Sequence, residues 1–232
     1  SKSEIALATE RLSFLFSLFF SKRILTMPVC SGSPLAFYFS DFFKTLLLLV
    51  LFMSPSSSFG GVVLLYHHVA EDTPALTSIT IAQFERHLET IEKNDYEVVP
   101  LEILTQTSLK SFSLDKKVSI TFDDGYKNIL TNALPLLKKR DWPFTIFVST
   151  KFVGVSKSYL NWEDLNYLKQ NGATIGNHTH SHAHLVRRGA NETDGEWLAR
   201  VESEIITARE ILNAKGHESQ IFAYPYGEYN AR

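Results

Sequence analysis

From Gly60 onward, short runs of β-branched and aromatic residues alternate with longer stretches that carry an apolar stripe at helical spacing. GVVLLYHHV (61–69), EVVP (97–100), KVSITF (117–122), PFTIFVST (143–150), ATIGNH (173–178) and SQIFAYPYG (219–227) read as strands. Between them, TIAQFERHLETIEKNDY (80–96) places Ile81, Phe84, Leu88 and Ile91 on one helical face, with Thr80 as its cap. NILTNALPLLKKR (128–140), with a kink at Pro135, NWEDLNYLKQNG (161–172) and GEWLARVESEIITAREILNAKG (195–216) read as further helices, the last two closed by Gly172 and Gly216. Strands alternating with helices predict an α/β fold with parallel strands, either a barrel or an open wound sheet.

That prediction matters for chemistry. In parallel α/β folds the loops after the strands share one face, where sites are built. Asp123-Asp124 follows one predicted strand, NHTHSHAHL (177–185) follows a second, and Tyr224-Pro225-Tyr226-Gly227 ends a third. Each segment also has an ordinary reading. Asp-Asp-Gly is a common turn, a histidine-rich tract can be a solvated loop, and Pro-Tyr-Gly is turn chemistry. Their joint placement at strand ends favours a site. Two histidines and one aspartate make a three-ligand set for zinc or a similar cation, with one position left for water. Two adjacent aspartates allow one to bind the metal while the other takes a proton from the attacking water. Backbone N–H groups of a tight loop are suited to an oxyanion. The implied reaction is hydrolysis of an ester or amide.

Which histidines serve is open on spacing alone. In an extended segment His178, His180, His182 and His184 share one side; in a helical turn His178 pairs with His182, or His180 with His184.

The chain has 232 residues, 23 Lys and Arg against 25 Asp and Glu, and a formal net charge of −2. It lacks the basic stripe of a nucleic-acid binder, and no nucleic-acid partner is expected. Its one cysteine, Cys30, allows neither an internal disulfide nor a zinc–thiolate site. Residues 1–60 form a separate hydrophobic region. LSFLFSLFF (12–20) precedes Ser21-Lys22-Arg23, and TLLLLVLFM (45–53) lies between Lys44 and SPSSSFGG. This order is that of a secretory signal, with retention as a membrane anchor the alternative. Met27 is a candidate start, and cleavage near Ser58–Gly61 would remove Cys30. The protein is expected to be exported: periplasmic, extracellular or membrane-anchored.

TFDDGY (121–126), GNHTHSHAHL (176–185) and FAYPYG (222–227) resemble, in this order, the first three motifs of the polysaccharide deacetylase family, the NodB-homology domain of carbohydrate esterase family 4. The resemblance runs from about Val62 to the end of the chain. It implies a distorted (β/α) barrel over residues 61–232 and metal-dependent removal of acetyl groups from N-acetylated sugars. It assigns Asp123 as catalytic base and Asp124 as metal ligand. Gly176-Asn177 before and Leu185 after fit the family's histidine motif only if His178 and His182 are the ligands, which leaves His180 and His184 as bystanders or supporting groups. Tyr226 matches the residue whose backbone N–H faces the oxyanion, and Tyr226 and Pro225 are the expected substrate contacts. The metal is expected to be zinc, with cobalt or nickel compatible.

Two departures stand out. Many members carry an arginine, which orients the catalytic aspartate, where this chain has Ala223. The family's later motifs, including a histidine that acts as general acid, lie beyond Arg232, so the barrel is expected to be incomplete at its C-terminus; His217 is misplaced to substitute. FAYPYG and Tyr66-His67-His68-Val69 resemble the branch acting on poly-β-1,6-N-acetylglucosamine, a biofilm exopolysaccharide, and His67 is expected near the site. Peptidoglycan or chitin oligomers are alternative substrates. A catalytically dead, metal-holding carbohydrate-binding module is the alternative from another class. Tyr126 and Trp162 are either sugar platforms or packing anchors.

Overall fold

The computed structural model describes residues 60–105, 114–218 and 220–230. The expected signal or anchor segments, Met27 and Cys30 lie outside them. No helix among the described residues is long and apolar enough to cross a membrane.

The described chain runs β1 (Val62–Tyr66), β2 (His68–Val69), β3 (Ser78–Ile79), α1 (Ile81–Lys93), β4 (Glu97–Val98), α2 (Leu101–Thr105), β5 (Lys117–Phe122), a π-helical turn (Ile129–Ala133), α3 (Leu134–Lys138), β6 (Phe144–Val148), α4 (Trp162–Lys169), β7 (Ala173–Asn177), α5 (Asp194–Ala214) and a 3-10 turn (Pro225–Gly227). The main sheet has the order β1-β5-β6-β7 and every pairing is parallel. β1 runs beside β5 from Val62↔Val118 to Tyr66↔Phe122, β4 joins the start of β5, and β6 joins its end. The parallel α/β expectation is met.

All six residues of β5 are buried, as expected for a central strand covered on both faces. Ile120 and Phe122 of β5 pack with Phe84 and Leu88 of α1, Leu137 of α3, Ile146 of β6 and Leu165 and Leu168 of α4 in one core. Three helices start on reciprocal caps. Thr80 and Gln83, Asn161 and Asp164, and Thr193 and Glu196 each exchange side-chain and backbone hydrogen bonds, satisfying donors that a helix start leaves free.

Three expectations are corrected. The 61–69 run is two strands: β1 ends at Tyr66, and β2 turns to pair with β3. The 128–140 helix opens with a π turn, immediately before Leu134-Pro135. Pro135 has no N–H, and its ring crowds the carbonyl four residues back, so the widened turn accommodates it. Residues 220–227 form no strand. A single bridge joins Phe222 to Asn177, through Asn177 N–H to Ile221 O and Ala223 N–H to Asn177 O, and the chain then enters the Pro225 turn. Pro225 cannot extend a ladder.

His217 is 2% exposed, and neither ring nitrogen has a hydrogen-bond partner. It stacks on Trp162 at 6.1 Å, remote in role from the acid position considered above, and Trp162 is thereby a packing residue. Burial, helped by the charge of Lys169, pushes the His217 pKa below its ordinary 6.5. Protonation is therefore costlier in the folded than in the unfolded chain, and stability is lost as pH falls from 6.5 toward the depressed folded value. The melting temperature of the wild type should drop more steeply than that of His217→Phe between about pH 7 and about pH 5. Parallel melting curves would rule out this group as the cause.

Candidate functional site

The carboxyl ends of the parallel strands set the site's position. β5 delivers Asp123, Asp124 and Gly125; β7 delivers His178 and the histidine loop; His67 follows β1, and His68 opens β2.

Asp124 and Gly125 both take positive φ, 70° and 75°. A Cβ on Gly125 would stand 2.9 Å from a methyl of Val148, so the glycine is required by space as well as by conformation. This sharp reversal turns two adjacent aspartates toward the same histidines. Asp124 Oδ1 lies 3.5 Å from His178 Nε2 and 3.1 Å from His182 Nε2. Asp123 Oδ2 is 4.0 Å from His178 Nε2, too far for a hydrogen bond. Among the described residues, Asp123 Oδ1 and Asp124 Oδ1 are buried without a hydrogen-bond partner. The methyl of Ala223 has no polar atom with which to orient Asp123.

The tautomer of His178 is fixed from behind. Its Nδ1 lies 2.9 Å from the carbonyl of Ala223, and a carbonyl only accepts, so the proton sits on Nδ1 and the Nε2 lone pair faces Asp124. A lone pair pointing at a carboxylate oxygen is stable only with a positive charge between them. Asp124, His178 and His182 bring their ligand atoms within 4.8 Å of one another, and the donor set of one carboxylate and two imidazoles suits a zinc-like cation. The residues present fit the metal that the sequence implies.

The electrostatics separate the two aspartates. Burial opposes ionisation of Asp124, but the His178 and His182 imidazoles outweigh it and hold the carboxyl far below the usual range. Burial pushes the Asp123 carboxyl up, and the charges of His178 and His67 offset this only in part.

Backbone strain concentrates here. Among the described residues, seven non-glycine residues have positive φ, and four of them are Asp124, Thr179, His182 and Tyr226. Each costs on the order of 1–3 kcal/mol, and a β-branched threonine is the least tolerant. Local hydrogen bonds offset this at about 1 kcal/mol each. Thr179 N–H donates to Asn177 Oδ1 at 2.8 Å, His182 N–H to Thr179 Oγ1 at 3.0 Å, and Ser149 Oγ to the His178 carbonyl at 2.7 Å. α5 supports the loop from outside. Glu204 accepts from the Ser181 N–H at 2.7 Å, and Trp197 Nε1 donates to the Leu185 carbonyl at 2.7 Å.

The remaining histidines have other partners. His180 Nδ1 meets Thr150 Oγ1 at 2.9 Å. His184 stacks on Tyr226, with ring centroids 3.8 Å apart at 13°, and its Nδ1 is 2.9 Å from Glu228 Oε2, which Arg187 also reaches through Oε1. Tyr226 in turn meets His182 edge-to-face at 4.5 Å, so the strained Pro225–Gly227 turn is clasped to the histidine loop. Pro225 is buried and anchors the turn, while Tyr226 is 56% exposed. Sequence reasoning missed Glu228 and Ala223 O as supporting groups; only the backbone path reveals them. Substituting His184→Ala should speed amide exchange at Gly227 and Glu228, whose N–H groups close the turn, whereas His184→Phe keeps the stack and most of the protection. Equal exchange in all three proteins would show that the clasp does not hold the turn.

A family model described as Polysaccharide deacetylase matches residues 112–232. YxkH of Bacillus subtilis (strain 168), which carries the name of a polysaccharide deacetylase, is 33% identical over 153 residues, 64% of this chain and 50% of its own length. A poly-beta-1,6-N-acetyl-D-glucosamine N-deacetylase of Staphylococcus aureus (strain MRSA252) is 26% identical over 159 residues, 66% of this chain and 55% of its own. The chain thus spans about half the length of the curated relatives it matches. IcaB from Ammonifex degensii superposes with a TM-score of 0.65 at 25% identity, covering 75% of this chain and 77% of that one. The Streptococcus pyogenes deacetylase PplD in complex with acetate gives 0.64 at 24% identity, covering 75% and 76%. These likenesses bear out the expected α/β architecture of NodB type.

Proposed function

The chain belongs to the polysaccharide deacetylase family, and from that membership and the geometry of its acidic–histidine cluster we propose that it removes N-acetyl groups from a polysaccharide by metal-dependent hydrolysis. The observation that carries this reading is the partnerless Asp124 Oδ1 facing two imidazole nitrogens, one of them held as a lone-pair donor by Ala223 O.

In this reading Asp124, His178 and His182 hold a divalent cation, zinc or else cobalt or nickel. Bound there, the cation would supply Lewis acidity to the acetamide carbonyl and acidify a water molecule. Asp123 is the base. Its buried carboxyl, raised in pKa, takes the proton of the attacking water. A C–O bond forms, the N–H of Tyr226 supports the developing oxyanion, and the C–N bond then breaks. The proton held by Asp123 is available to the departing amine, so that acetate and a free amino sugar result. Tyr226 and Pro225 border the sugar that carries the acetyl group.

The substrate we favour is poly-β-1,6-N-acetylglucosamine. Support comes from the Staphylococcus aureus relative, whose name specifies that polymer, and from the Tyr66-His67-His68-Val69 and FAYPYG phrases. Export through the N-terminal apolar runs belongs to the same reading, because such a polymer lies outside the cytoplasm; N-terminal sequencing of the native protein tests it.

Metal analysis of the full chain should find one divalent ion, lost in both Asp124→Ala and His182→Ala; retention by folded forms of both variants would sink the ligand assignment. Asp123→Asn should keep the ion and lose acetate release by about 10² or more. Release from chitin or peptidoglycan oligomers, but not from the β-1,6 polymer, would move the substrate assignment. An ion bound with no acetate released from any of them would favour a binding module.

A further inference from the structure

The two histidines of the acidic cluster are held in different ways. His178 is 1% exposed, and its Nδ1 is fixed by the Ala223 carbonyl at 2.9 Å. His182 Nε2 lies 3.1 Å from Asp124 Oδ1, yet among the described residues no group hydrogen-bonds its Nδ1. Its side chain is 20% exposed, and its backbone carries a φ of 58°. A ligating imidazole must keep its ring plane aimed at the ion, and the usual device is a hydrogen bond on the other nitrogen. His182 depends on something else.

Rings surround it instead. Tyr226 packs edge-to-face on His182, with centroids 4.5 Å apart at 69°, and His178 lies 4.9 Å away at 62°. Turning the His182 ring about its Cβ–Cγ bond is therefore opposed by two neighbours. Tyr226 is itself backed by His184, stacked at 3.8 Å and 13°.

The stack is pinned at its outer end. His184 Nδ1 meets Glu228 Oε2 at 2.9 Å, and Arg187 reaches Glu228 Oε1 at 2.5 Å. Arg200 of α5 secures the backbone of the same loop: its Nη2 donates to the Arg187 carbonyl at 2.8 Å, while Glu192 fixes the guanidinium through contacts of 2.7 and 2.9 Å. Glu228 caps the turn that supplies Tyr226. One carboxylate thus joins both ends of the stack, the histidine loop and the Pro225–Gly227 turn.

We propose that Tyr226 and His184, pinned by Glu228, are positioning residues for His182: stacked rings, in place of a hydrogen bond, set the direction of its Nε2 lone pair and so the affinity of the site for its cation. The proposal rests on the metal-dependent reading, in which His182 is a ligand. It gives His184 a role that ligand spacing alone does not.

Titration of the full chain with zinc against a chromophoric chelator tests it, with the visible spectrum of the cobalt-loaded protein as a second readout. His184→Ala and Tyr226→Ala should each weaken zinc binding by about tenfold or more, as loss of a supporting residue does at other metal sites. His184→Phe and Tyr226→Phe keep the rings and should recover most of that affinity. Glu228→Ala should lose less than His184→Ala, and nothing further when combined with it, because both act through one ring. The cobalt spectrum should change in His184→Ala and return in His184→Phe. Where one alanine variant does not fold, the other and Glu228→Ala decide. Wild-type zinc affinity in folded His184→Ala and Tyr226→Ala would overturn the proposal, and so would a lowered melting temperature with affinity and cobalt spectrum unchanged. A wild type that binds no zinc would sink the metal-dependent reading and the proposal with it. Ring-dependent zinc binding without acetate release would sink the deacetylase reading alone.

Discussion

A buried carboxylate oxygen with two imidazole nitrogens aimed at it is the constraint on which the site depends. Burying an uncompensated carboxylate costs several kcal/mol, and the two imidazoles beside it offset that only when they carry charge or share a cation with it. The cluster is stable only with positive charge at its centre, supplied by protons or by a cation. Protons fit poorly. His178 already donates Nδ1–H to Ala223, and charging its other nitrogen places a cationic ring in a pocket where it is 1% exposed. Burial opposes that charge even though Asp124 and Asp123 favour it enough to push the pKa up. A divalent cation neutralises the same centre and satisfies all three ligand atoms together.

Much of the surrounding structure serves that arrangement. The parallel sheet brings the ends of β5 and β7 to one rim, as it must, because Phe122 and Val148 sit in adjacent strands and Asn177 pairs with Val148. The rim alone does not aim the side chains. That takes left-handed backbone at Asp124, Thr179 and His182, positions that other stretches of chain avoid. The remaining strained residues, apart from Tyr226, are Asp95, Lys116 and Asp141 in connecting loops. There an aspartate tolerates the left-handed region at modest cost. Thr179 has no such excuse: it is fully buried and β-branched, and its conformation is held by Asn177 on one side and by its own hydroxyl under His182 on the other.

The fold was legible where local chemistry and global packing agree. β5 follows the 117–122 run residue for residue, and α1 begins on Thr80 as its cap implies. Residues 219–227 were misread because alternating apolar residues signal a strand equally well when only one bridge forms, and the bridge here is cut short by Pro225. At the site, the residue types and their order were legible, and the geometry groups Asp124 with His178 and His182, the pair that the flanking residues favoured. The supporting contacts were not legible. Nothing in the sequence says that His184 will turn onto Tyr226 and Glu228, because that depends on a positive φ at His182 and again at Tyr226, and neither residue type announces one.

The adjacency of Asp123 and Asp124 is what makes them chemically different. Two neighbouring carboxylates in one environment would compete for the same proton and raise each other's pKa. Here the turn at Gly125 places one of them between two imidazoles, 3.5 and 3.1 Å away, and leaves the other buried and 4.0 Å from His178. Opposite shifts accompany that single reversal: Asp124 stays ionised, which suits the ligand role proposed for it, and Asp123 keeps an affinity for protons, which suits the proposed base. The family resemblance supplies the names of these roles, but the backbone at Asp124-Gly125 supplies the physical reason why the order Asp-Asp cannot be exchanged within the motif. Moving the ligand one residue back along β5 would put it 4.0 Å from His178, where Asp123 now stands, beyond the reach of the cluster.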